Sequence, residues 1–309
     1  ILAYKNFLFF FNMKRKYIFS PAILGILFMI LSQFSFSLND SLVKLIVIES
    51  SNQLSLLNTI FIRGLFTTLV ILLYIKIIER KNLITIVSKI PYHKRGLYEV
   101  LTAICFLSGL ILLPFAEVYT LLMTNPLFVT IFAFLFLKEK VGVRRWIAIT
   151  VGFIGVLIVI NPNKVDFNFL YILPIMAAIF LTIRDIKTKN IANDNNSFEI
   201  IFITSLLMTV FSGFGSLFSE FSLEFKSLFK IILASIFLSI AYLLSVLTVF
   251  YAPLSLTSSA RYSVIIFGIF FGYVFFDELP TTNMIIGALF IILSGLFVIQ
   301  RERKLGKTK

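Results

Sequence analysis

Two arginines stand inside apolar stretches of this chain: Arg63 in NTIFIRGLFTTL and Arg261 in TSSARYSVIIFG. A guanidinium stays charged and presents a planar fork of N–H donors, a shape that grips a carboxylate or phosphate at two points. Inside a membrane helix it costs roughly 2.5–3.5 kcal/mol on insertion scales, so it faces a cavity or a partner rather than lipid. The partner is either internal (an acid such as Asp40 or Glu99, or backbone carbonyls) or an anionic group on a ligand. Tyr119, Thr124 and Asn125 lie in another apolar stretch, and Pro126 after them frees a backbone carbonyl and kinks a helix. Tyr262, Ser258 and Ser259 flank Arg261, and Tyr242 sits mid-way along an apolar run. These groups line a pocket or act as glue between helices. Asp40 in SLNDSLVK and Asp185 in LTIRDIKTK have matching surroundings, each with a lysine (Lys44, Lys189) four residues on. They read either as marks of a helix leaving the bilayer or as a pair for gating or ion coupling.

The remaining reactive residues are sparse. His93 is the single histidine, in the basic segment KIPYHKRG, and Cys105 is the single cysteine, in an apolar run. That excludes a disulfide framework and a metal-ligand cluster. It supplies no catalytic constellation, so no catalytic residue, metal or cofactor is expected.

These side chains must be positioned by elements that live in lipid. Of 309 residues, 59% are hydrophobic and 14% charged, with a mean hydropathy of +0.99; globular domains carry about 25% charged residues. A membrane helix needs about 20 mostly apolar residues. Ten segments qualify: 18–38, 54–78, 97–115, 117–137, 143–161, 168–187, 198–218, 228–250, 254–276 and 281–300. The net charge of +13 does not point to nucleic acid, because 22 of the 28 lysines and arginines fall at alternate segment ends. That is a topology signal, and it predicts both termini on the cytoplasmic side of a bacterial inner membrane. ILAYKNFLFFFN precedes Met13, so it reads either as an extension upstream of a native start at Met13 or as a short interfacial anchor, with 1–17 a cytoplasmic extension and 301–309 a basic cytoplasmic tail.

The chain also repeats itself. Residues 127–160 (LFVTIFAFLFLKEKVGVRRWIAITVGFIGVLIVI) match 266–299 (IFGIFFGYVFFDELPTTNMIIGALFIILSGLFVI), with Glu139 falling on Glu278. Each of these acids precedes a helix start, where the helix dipole favours an anion. Gly152, Gly155, Gly287 and Gly295 suit close helix packing. Five segments per half is an odd number, so the halves, 18–161 and 162–300, enter the membrane from opposite sides. The expected fold is therefore all-α and integral to the membrane: ten transmembrane helices as two inverted five-helix repeats. Inverted repeats alternate access around a site between the halves, which makes Asn125 and Arg261 neighbours worth testing together.

LKEKVGVRRWIAITVGFIGVLIVINP closing the first half and FFDELPTTNMIIGALFIILSGLFVI closing the second resemble the drug/metabolite transporter superfamily, EamA type, over residues 18–300. Within it, SLND, FIRG and ARYSVIIFGIFFGYVFFDELP are similar to the S-adenosylmethionine-transporter-like members of alphaproteobacteria, though Ser259–Ala260 stand where those have aromatic character. The resemblance implies a metabolite permease with a cavity lined by the third, fourth, eighth and ninth spans.

The expected function is secondary transport of a small organic metabolite with an anionic or zwitterionic group, such as an amino acid or its derivative. Arg261, Arg63, Tyr119, Asn125, Tyr242 and Tyr262 would bind it, and Asp40 and Asp185 would gate or couple. The expected partners are that substrate and the lipid bilayer, with a monomer or loose homodimer. The alternatives are a lipid-carrier flippase of the same fold, marked by a greasy lateral opening, and an integral-membrane transferase.

Overall fold

The computed structural model describes residues 21–49, 56–137, 142–161, 168–191, 197–218, 225–251 and 260–304. Met13, Glu139, Ser258, Ser259, the segment 1–17 and the end of the basic tail lie outside them. The described residues form helices and no strand. They are α1 (Pro21–Glu49), α2 (Leu56–Tyr74, continued by a π turn Ile75–Glu79), α3 (Leu83–Val87), α4 (Ile90–Leu112), α5 (Phe115–Leu122) and α6 (Asn125–Leu137). Then follow α7 (Val143–Ile160), α8 (Ile172–Ile191, after a 3-10 turn Phe169–Tyr171), α9 (Ser197–Ser216), α10 (Phe225–Tyr251), α11 (Ser263–Phe276) and α12 (Thr282–Lys304).

Local chemistry sets the breaks. Leu113 precedes Pro114, whose ring disfavours helical backbone in the residue before it, and Leu113 accordingly turns to ψ 164° and ends α4. The fourth apolar segment is not continuous: it stops at Met123–Thr124 and restarts at Asn125, with Pro126 in the first turn of α6, where its missing N–H costs little. Pro174 likewise falls in the first turn of α8 and leaves that helix unbroken.

Among the described residues, eight of the ten expected segments hold a helical stretch long and apolar enough to cross a membrane, the fourth through α5 and α6 together. The fifth and ninth hold shorter apolar helices, Trp146–Ile160 and Ser263–Phe276. The amphipathicity is inside-out. On α2, Leu65, Leu69, Val70 and Leu73 face outward while Asn58, Thr59, Arg63 and Thr67 are buried. On α9, Val210, Phe211 and Phe214 are exposed and Thr204, Ser205, Thr209 and Ser212 are buried. Most of those hydroxyls bond a carbonyl one turn back, as Thr204 does to Ile200 (2.7 Å) and Thr209 to Ser205 (2.8 Å). A dry environment demands such internal satisfaction.

The most extensive helix pairs are α1 with α10, α7 with α12, α2 with α9, and α4 with α8; α4 also meets α9, α2 meets α10, α11 meets α1 and α5, and α5 and α6 meet α8. Exchanging the first five apolar segments for the second five maps each of these pairs onto itself or onto another of them. The α7–α12 seam brings two glycine backbones close together. A Cβ on Gly287 would lie 2.5 Å from the Val159 side chain and 2.6 Å from the Gly155 carbonyl oxygen, and one on Gly155 would lie 2.8 Å from the Gly287 oxygen. Gly287→Ala is therefore expected to cost about 1–3 kcal/mol through overpacking. Heating a detergent extract and measuring the monodisperse fraction checks this. Gly142→Ala, where an added Cβ meets nothing within 4 Å, should stay near wild type.

Candidate functional site

Helix α1 carries a polar stripe at helical spacing: Gln33, Ser37, Asp40, Ser41 and Lys44 are all buried. The stripe turns into the bundle, while Ile23, Leu27, Leu31 and Ile48 on the same helix face outward. Asp40 sits nine residues before the end of α1, so it does not mark a helix exit. Both its carboxylate oxygens are occupied. Tyr119 on α5 donates its hydroxyl to Oδ2 at 2.6 Å, and Asn39 donates to Oδ1 at 2.7 Å. Asn39 in turn accepts from Arg63 Nη1 of α2 at 3.2 Å. Arg63 thus reaches Asp40 through an amide and not by direct contact, and its buried Nε has no hydrogen-bond partner among the described residues.

Hydrogen bonds to charged groups are worth about 1.5–3 kcal/mol, and Tyr119→Phe leaves one Asp40 oxygen without its described partner. On the transport expected from the sequence, the variant folds but moves substrate about tenfold more slowly, at roughly 1.4 kcal/mol per decade. Initial uptake rates normalised to reconstituted protein check this.

A second cluster lies toward the other end of the bundle. Arg184 of α8 bonds both oxygens of Glu99 on α4, at 3.1 and 2.9 Å, and also clamps Asp185 through Nη2 (2.5 Å) and Nε (3.0 Å). Arg95, one turn before Glu99, pairs with it at 2.9 Å and donates to Thr188 (3.1 Å) and Thr204 (2.6 Å). Arg261, in the turn before α11, approaches Asp185 at 3.7 Å with 31% of its side chain exposed. Asn125 at the start of α6 reaches Thr182 at 3.2 Å and Asp185 at 3.5 Å. Three guanidiniums therefore face two carboxylates, leaving one positive charge in excess. Arg184 and Arg95 are committed by several short bonds each, whereas among the described residues Arg261 meets Asp185 in one long ion pair.

The two clusters have matching architecture. Asp40 on α1 is met from α5, and Asp185 on α8 is met from the start of α11 and of α6. Tyr242 on α10 lies between them, within electrostatic reach of Arg63 on one side and of Glu99, Arg95 and Arg184 on the other. Its ring packs edge-on against Phe36 with centroids 5.4 Å apart. Tyr262 goes elsewhere. It is 6% exposed, and a Cβ on Gly295 would lie 1.6 Å from its hydroxyl oxygen, so that hydroxyl is packed over α12. A cavity of about 550 Å³ is lined by Glu117, Val159, Ile160, Asn161, Asn168, Tyr171, Thr281, Thr282 and Asn283. It is at the end of the bundle opposite Arg95 and apart from both clusters. In it the Tyr171 hydroxyl donates to Glu117 at 2.5 Å.

Three expectations need revision. Arg95 and Arg184, counted from the sequence among the basic segment ends, belong to the second cluster, Arg95 buried and Arg184 with 16% of its side chain exposed; the nearby acids Glu99 and Asp185 draw them inward. Asp185, like Asp40, lies inside its helix, six residues before the end of α8. Glu278 does not serve the helix that follows it. Its Oε2 accepts the Phe115 N–H at 2.5 Å, at the start of α5, and its Oε1 pairs with Lys44 at 2.6 Å.

A bundle with polar residues turned inward, charge clusters toward both ends and an apolar exterior suits a membrane carrier, and comparison with known proteins agrees. The model of the EamA-like transporter family matches residues 23–161. That stretch is an EamA-type domain. Among its relatives is an S-adenosylmethionine uptake transporter of Rickettsia conorii, 26% identical over 91% of this chain and 94% of that protein. A riboflavin transporter of Vibrio cholerae is 29% identical over 62% and 64% of the two chains. A pseudopaline exporter of Pseudomonas aeruginosa is 23% identical over 91% and 97%. A solved crystal structure shares the fold with a TM-score of 0.53 at 13% identity, covering 92% of this chain and 98% of that one. The matched domain, together with eight helical stretches among the described residues apolar and long enough to cross a membrane, marks a multi-pass membrane protein of transporter type, and the polar clusters are what a transport reading must explain.

Proposed function

We propose that this protein is a secondary transporter that moves a small organic metabolite carrying an anionic group, an amino acid or its derivative, across the bacterial inner membrane by alternating access. The observation that carries this reading is the second cluster: an excess of one positive charge, with Arg261 the arginine that, among the described residues, makes a single long ion pair and keeps 31% of its side chain exposed. A carboxylate docking there competes with Asp185 for the Arg261 fork. Arg63, with its unpartnered Nε, is the matching donor in the first cluster, and Asp40 suits the ammonium end of a zwitterion. Tyr119, Asn125, Tyr242 and Tyr262 shape the rest of the path, and Asp40 and Asp185 gate it or couple it to protons or to a counter-substrate.

The ten-segment inverted repeat, with halves 18–161 and 162–300, is supported by the exchange of helix pairs between the halves and by the opposed positions of the two clusters. Such halves rock about a site between them. The lysine and arginine pattern supports cytoplasmic termini, with the unit a monomer or loose dimer. The relative named for S-adenosylmethionine fits the proposed class, because that molecule carries a carboxylate and an ammonium group together.

Ligand-induced stabilisation of the purified protein tests the reading. A ligand that binds the folded state raises the melting temperature with its concentration. Within a panel of amino acids, S-adenosylmethionine, riboflavin, organic anions and simple amines, the zwitterions are expected to stabilise wild type and to fail with Arg261→Ala. Stabilisation by the amines alone, undiminished in Arg261→Ala, contradicts it.

A further inference from the structure

Lys44 is a lysine buried to 4% exposure at the lysine-poor end of the bundle, and everything it can bond has been brought to it. Its ammonium pairs with Glu278 at 2.6 Å and donates to the Leu113 carbonyl at 3.1 Å. It also lies over the rings of Phe276 (4.5 Å) and Phe115 (5.8 Å). Glu278 uses its second oxygen on the Phe115 N–H. One ion pair therefore ties α1 to the α4–α5 bend and to the end of α11, and so joins the two halves of the chain.

The acid is aimed by the backbone. Asp277 caps α11 at φ 52°, in the left-handed region that aspartate tolerates better than most side chains. Its N–H bonds the Tyr273 carbonyl at 3.2 Å, and the Glu278 N–H reverts to the Gly272 carbonyl at 3.0 Å. This reversal is a helix stop of the αL type, and it folds Glu278 back under the helix end toward α1. Lys44 in turn lies one turn beyond Asp40 on the same face of α1, so parting α1 from α5 and α11 at Lys44 opens directly onto Asp40 and Tyr119.

We propose that the Lys44–Glu278 pair is the latch that closes the substrate path at the lysine-poor end, and that it breaks when the carrier turns to face that side. The proposal rests on the alternating-access reading above. A latch of this kind must hold firmly yet release. Lys44 is almost fully desolvated, whereas Glu278 keeps 24% exposure, so water reaches the acid side of the pair first. When the pair parts, the ammonium is released toward the path and the carboxylate toward the surface.

The test uses the full chain with Cys105→Ser as background and Ser41→Cys as reporter, since Ser41 is fully buried between Asp40 and Lys44. An impermeant methanethiosulfonate is added to right-side-out vesicles and the labelling rate is measured. Adding Lys44→Met or Glu278→Ala is expected to raise that rate about tenfold, by shifting population toward the open state. Glu278→Gln, which keeps an acceptor for Phe115 but no charge, should fall between. Lys44→Met serves where Glu278→Ala fails to fold. A second arm bridges Lys44→Cys/Glu278→Cys with a short bifunctional thiol reagent, which is expected to stop solute flux until reduced. Labelling rates equal to the reporter alone in folded variants overturn the latch, as does full flux through the bridged protein. If the labelling rates follow the latch while wild type moves no solute of any class, the latch stands and the transport reading falls.

Discussion

Arg261→Ala is expected to lower substrate flux about 100-fold at sub-saturating concentration while leaving the amount of folded protein unchanged. A charge-assisted fork worth about 3 kcal/mol corresponds to roughly two decades in affinity. The fold is expected to survive because Arg261 is 31% exposed and its described ion pair, at 3.7 Å, is long. Arg261→Lys should recover only part of the flux, since an ammonium keeps the charge but loses the planar fork. Uptake rates and folded yield measured on the same preparations separate the two effects. If Arg261→Ala abolishes folding instead, the residue is structural.

The opposite division is expected for Arg184→Ala. Arg184 is the hub of the second cluster, making four bonds to Glu99 and Asp185 at 2.5–3.1 Å. Removing one partner of a buried ion pair costs about 3–5 kcal/mol because the remaining charges stay buried. Arg184→Ala should therefore extract from the membrane largely aggregated. The cost lies in the orphaned acids, so Arg184→Gln combined with Asp185→Asn should regain much of the monodisperse fraction while still transporting poorly. Size-exclusion profiles of the single and double variants check this. A well-behaved single variant means that Arg95 and Arg261 suffice to balance the two carboxylates.

These two arginines show where the sequence was legible. Arg261 stood out because its neighbours are apolar or hydroxyl-bearing, so the cost of its charge was visible at once. Arg184 was hidden because it borders a basic segment and reads as a topology marker. Its burial depends on Glu99, 85 residues away, although the Arg95–Glu99 spacing of one helical turn was a usable signal. The positions of the apolar segments were readable because a bilayer imposes a minimum run length. The far end of α1 was not, since Ser37, Asn39, Asp40, Ser41 and Lys44 look like an exit to water until their helical spacing is seen to place most of them on one inward face. The Lys44–Glu278 pair joins residues 234 apart, and no local pattern announces it. Glu278 looked like a cap for the helix after it because dipole arguments use only neighbours in sequence.

The central claim is that a site between two five-segment halves, built on Arg261, carries an anionic metabolite across the membrane. Solute flux into proteoliposomes tests it most directly, with wild type and Arg261→Ala reconstituted in equal amounts and supplied with zwitterionic, anionic and cationic solutes. The predicted result is saturable flux of a carboxylate-bearing solute by wild type, about 100-fold slower in the variant. Equal flux in both proteins, or flux confined to solutes without an anionic group, contradicts it.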